Sequence, residues 1–178
     1  MEGADLEKYC EEALRIGMTD AKVIHPDSVV TAPWVRLKCL FSCHRAGKSH
    51  CCPPQTPTPE QTRAILDSYN RAVLFHLNGP AFGGEEHLRL QEMLVTMEGD
   101  MFKDGYYKAF VILAGPCRLC RECGKVQDTP CRFPSKAGPS LEACGIDVFQ
   151  TARNNGFFIQ TLRERTEMPN IYCLMLVD

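Results

Sequence analysis

Apolar side chains recur every three or four residues in two stretches of the chain. Positions 6–16 show this period, and Gly17 follows as a residue that commonly ends a helix. Positions 85–102 show the period again. A third helix is predicted over about 58–70, because a threonine, a following proline and a glutamine three residues on together form a helix start. The pattern therefore predicts three principal helices.

Four short apolar runs lack the helical period and predict strands. They lie at Val23-Ile24, 72–77, 107–114 and 171–177. The succession of strand, helix and strand over 72–114 is typical of a crossover unit. We therefore expect an α+β or α/β fold with a small mixed sheet and flanking helices. Two further short helices are predicted at 139–142 and 147–154.

Length and composition indicate one domain. The chain has 178 residues, of which 44% are hydrophobic, and this is sufficient for a single core. We predict one domain over residues 1–178. Prolines crowd positions 53–59 and exclude a helix or a central strand there, because each fixes φ and lacks an N–H donor. That stretch is expected to be extended and rigid.

Charge and hydropathy exclude several classes of partner. The formal net charge of −2 provides no basic footprint for nucleic acid. No apolar run approaches the roughly 18 residues of a membrane span. Positions 1–5 are acidic and lack the apolar stretch of a signal peptide. We therefore expect a cytoplasmic protein that binds neither nucleic acid nor membrane.

Most of the cysteines are concentrated in two segments. The first cysteine segment (residues 39–52) contains Cys39, Cys43, Cys51 and Cys52, and the second cysteine segment (residues 117–131) contains Cys117, Cys120, Cys123 and Cys131. The total of eleven is odd, and cytoplasmic thiols normally stay reduced, so a disulfide framework explains them poorly. Both segments are expected to be loops that leave and enter the predicted strands and helices. Grouped thiols in that compartment favour metal ligation.

The second cysteine segment has the spacing of an iron–sulfur loop. Bacterial ferredoxin-type [4Fe–4S] sites use C-x2-C-x2-C with a fourth cysteine from elsewhere, and Cys131, which follows Pro130, is the candidate for that position. Zinc sites usually take C-x2-C pairs separated by longer gaps, so a third cysteine at this spacing is superfluous for zinc. The spacing favours a [4Fe–4S] cluster, with zinc as the alternative.

The first cysteine segment is less regular and contains a vicinal pair. The side chains of Cys51 and Cys52 cannot easily point at the same metal, so one of them is expected to be a bystander. Cys52 precedes Pro53, which is the Cys-Pro step of cluster loops, and this favours Cys52 as the ligand. The ligand set predicted for this segment is Cys39, Cys43 and Cys52.

The fourth ligand of that first set stays open at the level of sequence. A thiol from Cys131 or Cys144 can complete it, and so can an imidazole from His44 or His50. The remaining possibility is an iron left open to a substrate. The two segments can also exchange ligands, as happens in two-cluster ferredoxins.

Motifs around both segments resemble those of a known family. They comprise Trp34–Cys39, Cys43, Cys52-Pro53-Pro54, Thr58-Pro59, Gly115-Pro116-Cys117, Cys120, Cys123, Pro130-Cys131-Arg132 and Pro139–Val148. Over roughly residues 30–177 the chain resembles the bacterial and archaeal domain-of-unknown-function family labelled "predicted metal-binding protein". The resemblance implies metal binding without a particular activity. Cys144 lies inside the family pattern, which favours it as a ligand, whereas Cys51 departs from the pattern.

These patterns predict an iron–sulfur protein carrying one or two [4Fe–4S] clusters. The predicted function is electron transfer to or from a redox partner protein. One alternative is an enzyme that uses an open iron to bind a small-molecule substrate, and another is a structural zinc or metal-carrier interaction protein. Helical carboxylates usually cap helices or pair with cations, so no catalytic residue is predicted.

Several other side chains carry a structural and a functional interpretation. Cys10 and Cys173 are expected in the core. The methionines at 93, 97 and 101 favour core packing or a homodimer face. Basic residues crowd both segments, where they offset anionic thiolates or bind an anionic substrate or an acidic redox partner. They are Arg36, Lys38, Arg45, Lys48, Arg118, Arg121, Lys125 and Arg132.

Overall fold

The computed structural model describes residues 5–79, 84–164 and 166–178. The helices are α1 (Glu7–Arg15), α2 (Pro33–Phe41), α3 (Pro59–Leu66), α4 (Gly84–Lys103) and α5 (Val148–Asn154). The strands are β1 (Asp20–Ile24), β2 (Ala72–Asn78), β3 (Phe110–Ile112) and β4 (Asn170–Leu176). Short 3-10 helices lie at Pro26–Ser28, Gly124–Gln127 and Glu142–Cys144. No helix among these described residues is long and apolar enough to cross a membrane.

The strands form one four-stranded sheet in the order β1-β2-β4-β3. Each pair of neighbours is antiparallel, so β2 and β3 run in the same direction on either side of β4. The crossover through α4 joins these two strands and leaves the space between them for β4. The α+β prediction is confirmed, with an antiparallel sheet in place of the mixed one expected.

Both faces of the sheet are covered. One face packs with α1 and α4 in a first core, and the other packs with α3, α5 and the stretch 141–159 in a second core. The prediction that Cys10 and Cys173 belong to the core is confirmed, because both side chains are buried in the first core.

The methionine spacing in α4 serves packing. Met97 and Met101 are buried in the first core, and Met93 packs against it. Core packing is therefore the interpretation that the structure bears out for these side chains. A homodimer stays a prediction, and these methionines do not supply its face.

The start of α3 follows the prediction, and its end does not. Thr58 and Gln61 form the reciprocal capping box that their spacing indicates. The helix ends at Leu66, before the predicted position 70, because the backbone N–H groups of Asn70 and Arg71 donate to the carbonyl of Asp178. These hydrogen bonds to the chain after β4 therefore take the place of a further turn of helix.

The strand predicted over 107–114 is shorter in the structure. A turn from Tyr106 to Ala109 delays the start of β3. After β3, Leu113 donates to the carbonyl of Pro139 at 2.8 Å and accepts from the N–H of Leu141 at 3.0 Å. These bonds form a parallel bridge between Leu113 and Ser140, so the helical turn predicted over 139–142 begins only at Glu142.

Candidate metal centre

The first cysteine segment begins on a helix that the sequence pattern did not indicate. Cys39 lies in the last turn of α2, and the rest of the segment is irregular chain. The expectation that both segments are loops is therefore wrong for Cys39. Val35 is the only residue of α2 that is buried, so the helix shows little apolar periodicity. Pro33 at the first helical position is the signal that could have indicated it.

Arg36 joins α2 to neighbouring segments through hydrogen bonds. Its Nη1 atom donates to the carbonyl of Pro57 at 2.7 Å, to that of Ala143 at 2.9 Å and to Thr56 Oγ1 at 3.0 Å. Thr56 Oγ1 itself donates to Ala143 at 2.6 Å. This guanidinium therefore serves the protein fold, which is a third role beside the two expected for the basic residues.

Cys39 meets the stretch that leads to Cys144. Its thiol donates to the carbonyl of Glu142 at 3.6 Å. Burial and the nearby Glu142, Cys43 and Cys52 together raise the pKa of Cys39 to about 11. Three predicted ligands of the first segment, Cys39, Cys43 and Cys52, are therefore electrostatic neighbours.

Cys144 is placed differently from the other predicted ligands. It is only 3% exposed and belongs to the second core. Burial raises the pKa of Cys144 to about 12, which opposes the thiolate form that metals bind. Cys39 is one of its neighbours. Ligation by Cys144 stays a prediction, and it would require this thiol to ionise beside the core.

The second cysteine segment folds back on itself after Cys123. Thr129 donates its N–H to the carbonyl of Gly124 at 2.9 Å and its hydroxyl to the same oxygen at 3.1 Å. A Cβ at Gly124 would lie 2.7 Å from Thr129 Oγ1 and 2.8 Å from the carbonyl oxygen of Pro130. Only glycine permits this approach, which brings the residue before Cys131 against the residue after Cys123.

The two cysteine segments contact each other. His50 Nε2 lies 2.8 Å from the carbonyl oxygen of Thr129, and Arg45 Nη1 donates to the carbonyl of Cys117 at 3.4 Å. Cys52 and Cys117 are electrostatic neighbours. The thiols therefore form one series that crosses from the first segment to the second.

Cys51 and Cys117 form another link between the two segments. Their side chains share a hydrogen bond, which lowers the pKa of Cys117 and raises that of Cys51. The backbone N–H of Leu119 and the side chain of Gln91 also favour the Cys117 thiolate. Cys131 is a further neighbour of Cys51. Cys117 is thus poised to ionise, and the thiolate is the form that ligates metals.

The remaining predicted ligands lie along the surface of this region. Cys120, Cys123 and Cys131 are half-buried, and Cys43 is exposed. Within the ranges that the structure describes, no three His, Cys, Asp or Glu side chains are gathered closely enough to hold a metal ion. Ligation of one metal centre would therefore draw the sulfurs of these irregular segments closer together.

The donor set and its surroundings fit a thiolate-bound metal. Sulfur ligands select zinc, copper(I) or iron–sulfur clusters over hard cations. Arg118 Nε is buried and has no hydrogen-bond partner among the described residues. A buried cationic donor beside Cys117 is costly unless an anionic group meets it. A metal centre with several thiolates supplies that negative charge.

Comparison with known proteins gave one similarity. A family profile described as "Predicted metal-binding protein (DUF2284)" matches residues 22–177, a range that contains both cysteine segments and all of the sheet except the first two residues of β1. The curated proteins and the solved structures gave no match.

Proposed function

Because the chain belongs to the DUF2284 family of predicted metal-binding proteins, we propose that it binds iron–sulfur clusters and transfers electrons to or from a partner protein. The observation that carries this proposal is the series of neighbouring thiols across the two cysteine segments. A bound cluster supplies a one-electron carrier, whose potential depends on nearby charge and hydrogen bonds.

Each segment would hold one centre. In the second segment, Cys117, Cys120 and Cys123 have the spacing of a cluster loop, and spacing assigns the fourth position to Cys131. In the first segment, Cys39, Cys43 and Cys52 are neighbours, with Cys144 beside Cys39. Zinc is the alternative metal for the same thiols.

Charged groups near the thiols support a cluster that gains and loses electrons. Arg45 is a neighbour of both Cys52 and Cys117, and it favours the thiolate at each. Arg118 contributes the buried Nε atom. These cations offset the negative charge of thiolate ligands and raise the reduction potential of a bound cluster.

The outer surface of α2 supports docking of an acidic partner protein. Its exposed apolar side chains are Trp34, Leu37, Leu40 and Phe41, of which Phe41 is 83% exposed. Residues 28–59 contain no Asp or Glu, and Lys38 and Lys48 are exposed in that stretch. An apolar patch with basic neighbours complements a partner with an acidic rim. The patch lies beside Cys39, where an electron could leave or enter.

Anaerobic purification and reconstitution test the proposed function. We expect a brown protein with about eight irons and eight sulfides per chain and broad absorption near ~400 nm, as two [4Fe–4S] clusters require. The Cys117→Ala variant is expected to lose about half of this iron. Cys10→Ala, which removes a thiol of the first core, serves as the control and should keep all of it.

Two results would contradict this function. A colourless protein that binds zinc under the same conditions would favour a structural or metal-carrier role. The burial of Cys144 favours a second candidate, an enzyme with three thiol ligands and an open iron at the first segment. In that case a small thiol or cyanide added to the reduced protein would shift the paramagnetic resonance of one cluster. Electron transfer alone predicts no shift.

A further inference from the structure

Cys51 is oriented towards the second cysteine segment, although it belongs to the first. Its thiol shares a hydrogen bond with that of Cys117, and Cys131 is its next neighbour there. The adjacent Cys52 instead interacts most closely with Ser49 and Cys43. The two cysteines of the vicinal pair therefore lie with different groups of thiols. Cys51, which the sequence indicated as a bystander, lies among candidate ligands.

The backbone around Cys51 holds this orientation. Ser49 is buried, and its hydroxyl accepts from the N–H of Cys51 at 3.1 Å while its carbonyl accepts from that of Cys52 at 3.3 Å. Gly47 donates to the carbonyl of Pro53 at 3.0 Å and closes the turn. His50 then joins this turn to Thr129 of the second segment. The turn is fixed at both ends, so the direction of Cys51 is part of the fold.

A cavity lies beside the turn that carries Cys51. It has a volume of about 270 Å³ and is lined by Cys51, Cys131 and His50, together with prolines that follow each segment. Thiols and imidazoles are ligands of soft metals, and binding at this cavity would draw these three side chains closer together. The cavity gives Cys51 and Cys131 a common space in which either sulfur can reach a bound group.

We propose that Cys51 supplies the fourth ligand of the metal centre begun by Cys117, Cys120 and Cys123. Cys131, which spacing assigns to that position, is the thiol that competes for it. Adjacent residues of the chain then serve the two centres, since Cys52 belongs with Cys39 and Cys43. One trans peptide places their Cα atoms about 3.8 Å apart, so the two centres would be close enough for direct electron exchange. This inference rests on the metal binding proposed above.

Single-alanine variants of the vicinal pair test the assignment. After anaerobic reconstitution we expect Cys51→Ala to retain about half the iron of the wild type, with the paramagnetic signal of one reduced cluster missing. Cys52→Ala should lose the other signal, and the double variant should lose both. Cys10→Ala is the folding control. Full iron and both signals in Cys51→Ala would overturn the proposal.

A measurement on the wild type covers the case in which a variant fails to fold. Alkylation followed by peptide mass spectrometry should find Cys51 protected in the metal-loaded protein and reactive after metal removal, in parallel with Cys117. Equal reactivity of Cys51 in both states would overturn the proposal. If the wild type binds zinc, the iron–sulfur function is refuted, and the same variants, compared by zinc per chain, still decide the role of Cys51.

Discussion

Gly145 shows how a single residue positions the candidate site. Its φ is +76°, and a Cβ there would lie 2.5 Å from Pro59 Cγ and 3.1 Å from Pro59 Cα. Its carbonyl accepts from Ala32 at 2.8 Å, next to the start of α2, and the preceding carbonyl of Cys144 accepts from Thr62 Oγ1 at 2.6 Å. The glycine therefore lets α2 and α3 meet at the chain that carries Cys144.

Substitution of Gly145 should be costly for two separable reasons. We expect Gly145→Ala to lower the free energy of unfolding by about 1–3 kcal/mol, from positive φ and from the contact with Pro59. Gly156 has a φ of +82° and only Lys22 Nζ within reach, at 3.9 Å, so Gly156→Ala isolates the cost of φ. Urea unfolding of both variants gives the comparison. Equal losses would contradict a role for the Pro59 contact.

The sequence predicted that Cys51 and Cys52 cannot easily serve the same metal. It did not predict which cysteine points to which group of thiols. Two adjacent side chains cannot easily share one metal, and this geometric limit is visible in the sequence. Which cysteine turns to which group depends on Ser49 and on the bond between His50 and Thr129. The contact between His50 and Thr129 joins residues 79 positions apart, so the local sequence pattern carries no information about it.

At the scale of elements, α4 and β3 are joined by a carboxylate. Glu98 Oε2 accepts from the backbone N–H of Val111 at 2.6 Å. Burial raises the pKa of Glu98, and the hydrogen bond opposes the rise without cancelling it. The folded state therefore binds this proton more tightly than the unfolded state. The associated stability is fully present below the usual glutamate pKa near 4.5 and is lost as the pH rises through the folded value.

Because the pKa of Glu98 is raised in the folded state, the effect of Glu98→Gln on stability should depend on pH. A neutral amide can still accept from Val111 and avoids the cost of a half-buried charge. We expect the variant to gain stability relative to the wild type as the pH rises from 4 to 7, by about 1 kcal/mol or less. Urea unfolding at each pH measures the difference. A constant difference across that range, or a growing loss, would contradict the prediction.

Helices with a clear local start or stop signal were predictable from the sequence, whereas α2 was not. The capping box of Thr58 and the positive φ of Gly17 act within a few residues, so α3 and α1 begin and end close to signals in the sequence. In α2 the helix follows Ala32, which provides no side-chain cap. Its outer residues are apolar as well as exposed, so no inside-to-outside contrast marks it.

At the scale of the whole molecule, the two cores and the cysteine segments are largely separate parts of the structure. The cores enclose the sheet, whereas residues 42–58 and 115–139 contain almost no regular structure. Sequence pattern predicted the α+β class because periodicity and strand length are local. It predicted thiol groups as well, but not the contact between segments, since Arg45 and Cys117 meet across 72 positions of the chain.

This separation predicts how the protein responds to loss of metal. The sheet should persist, while the cysteine segments lose the constraint that ligation provides. Removal of the metal should increase hydrogen exchange in residues 42–58 and 115–139 and leave β2 and β4 protected. A ligand present at one hundred times its Kd contributes about 2.7 kcal/mol to stability, so the melting temperature should fall. Equal hydrogen exchange in the cysteine segments with and without metal would contradict this prediction. Loss of protection in β2 and β4 on metal removal would contradict it as well.

The position of β4 has a consequence for how the chain matures. It is the last of the four strands to be synthesised, yet it lies between β2 and β3. On the ribosome, both cysteine segments emerge while the two flanking strands still lack their shared neighbour. The nascent thiols therefore spend that interval on an open scaffold, accessible to oxidants and to the wrong metal. We expect metal insertion to follow the pairing of β4 with β2 and β3, with a reducing environment protecting the sulfurs until then.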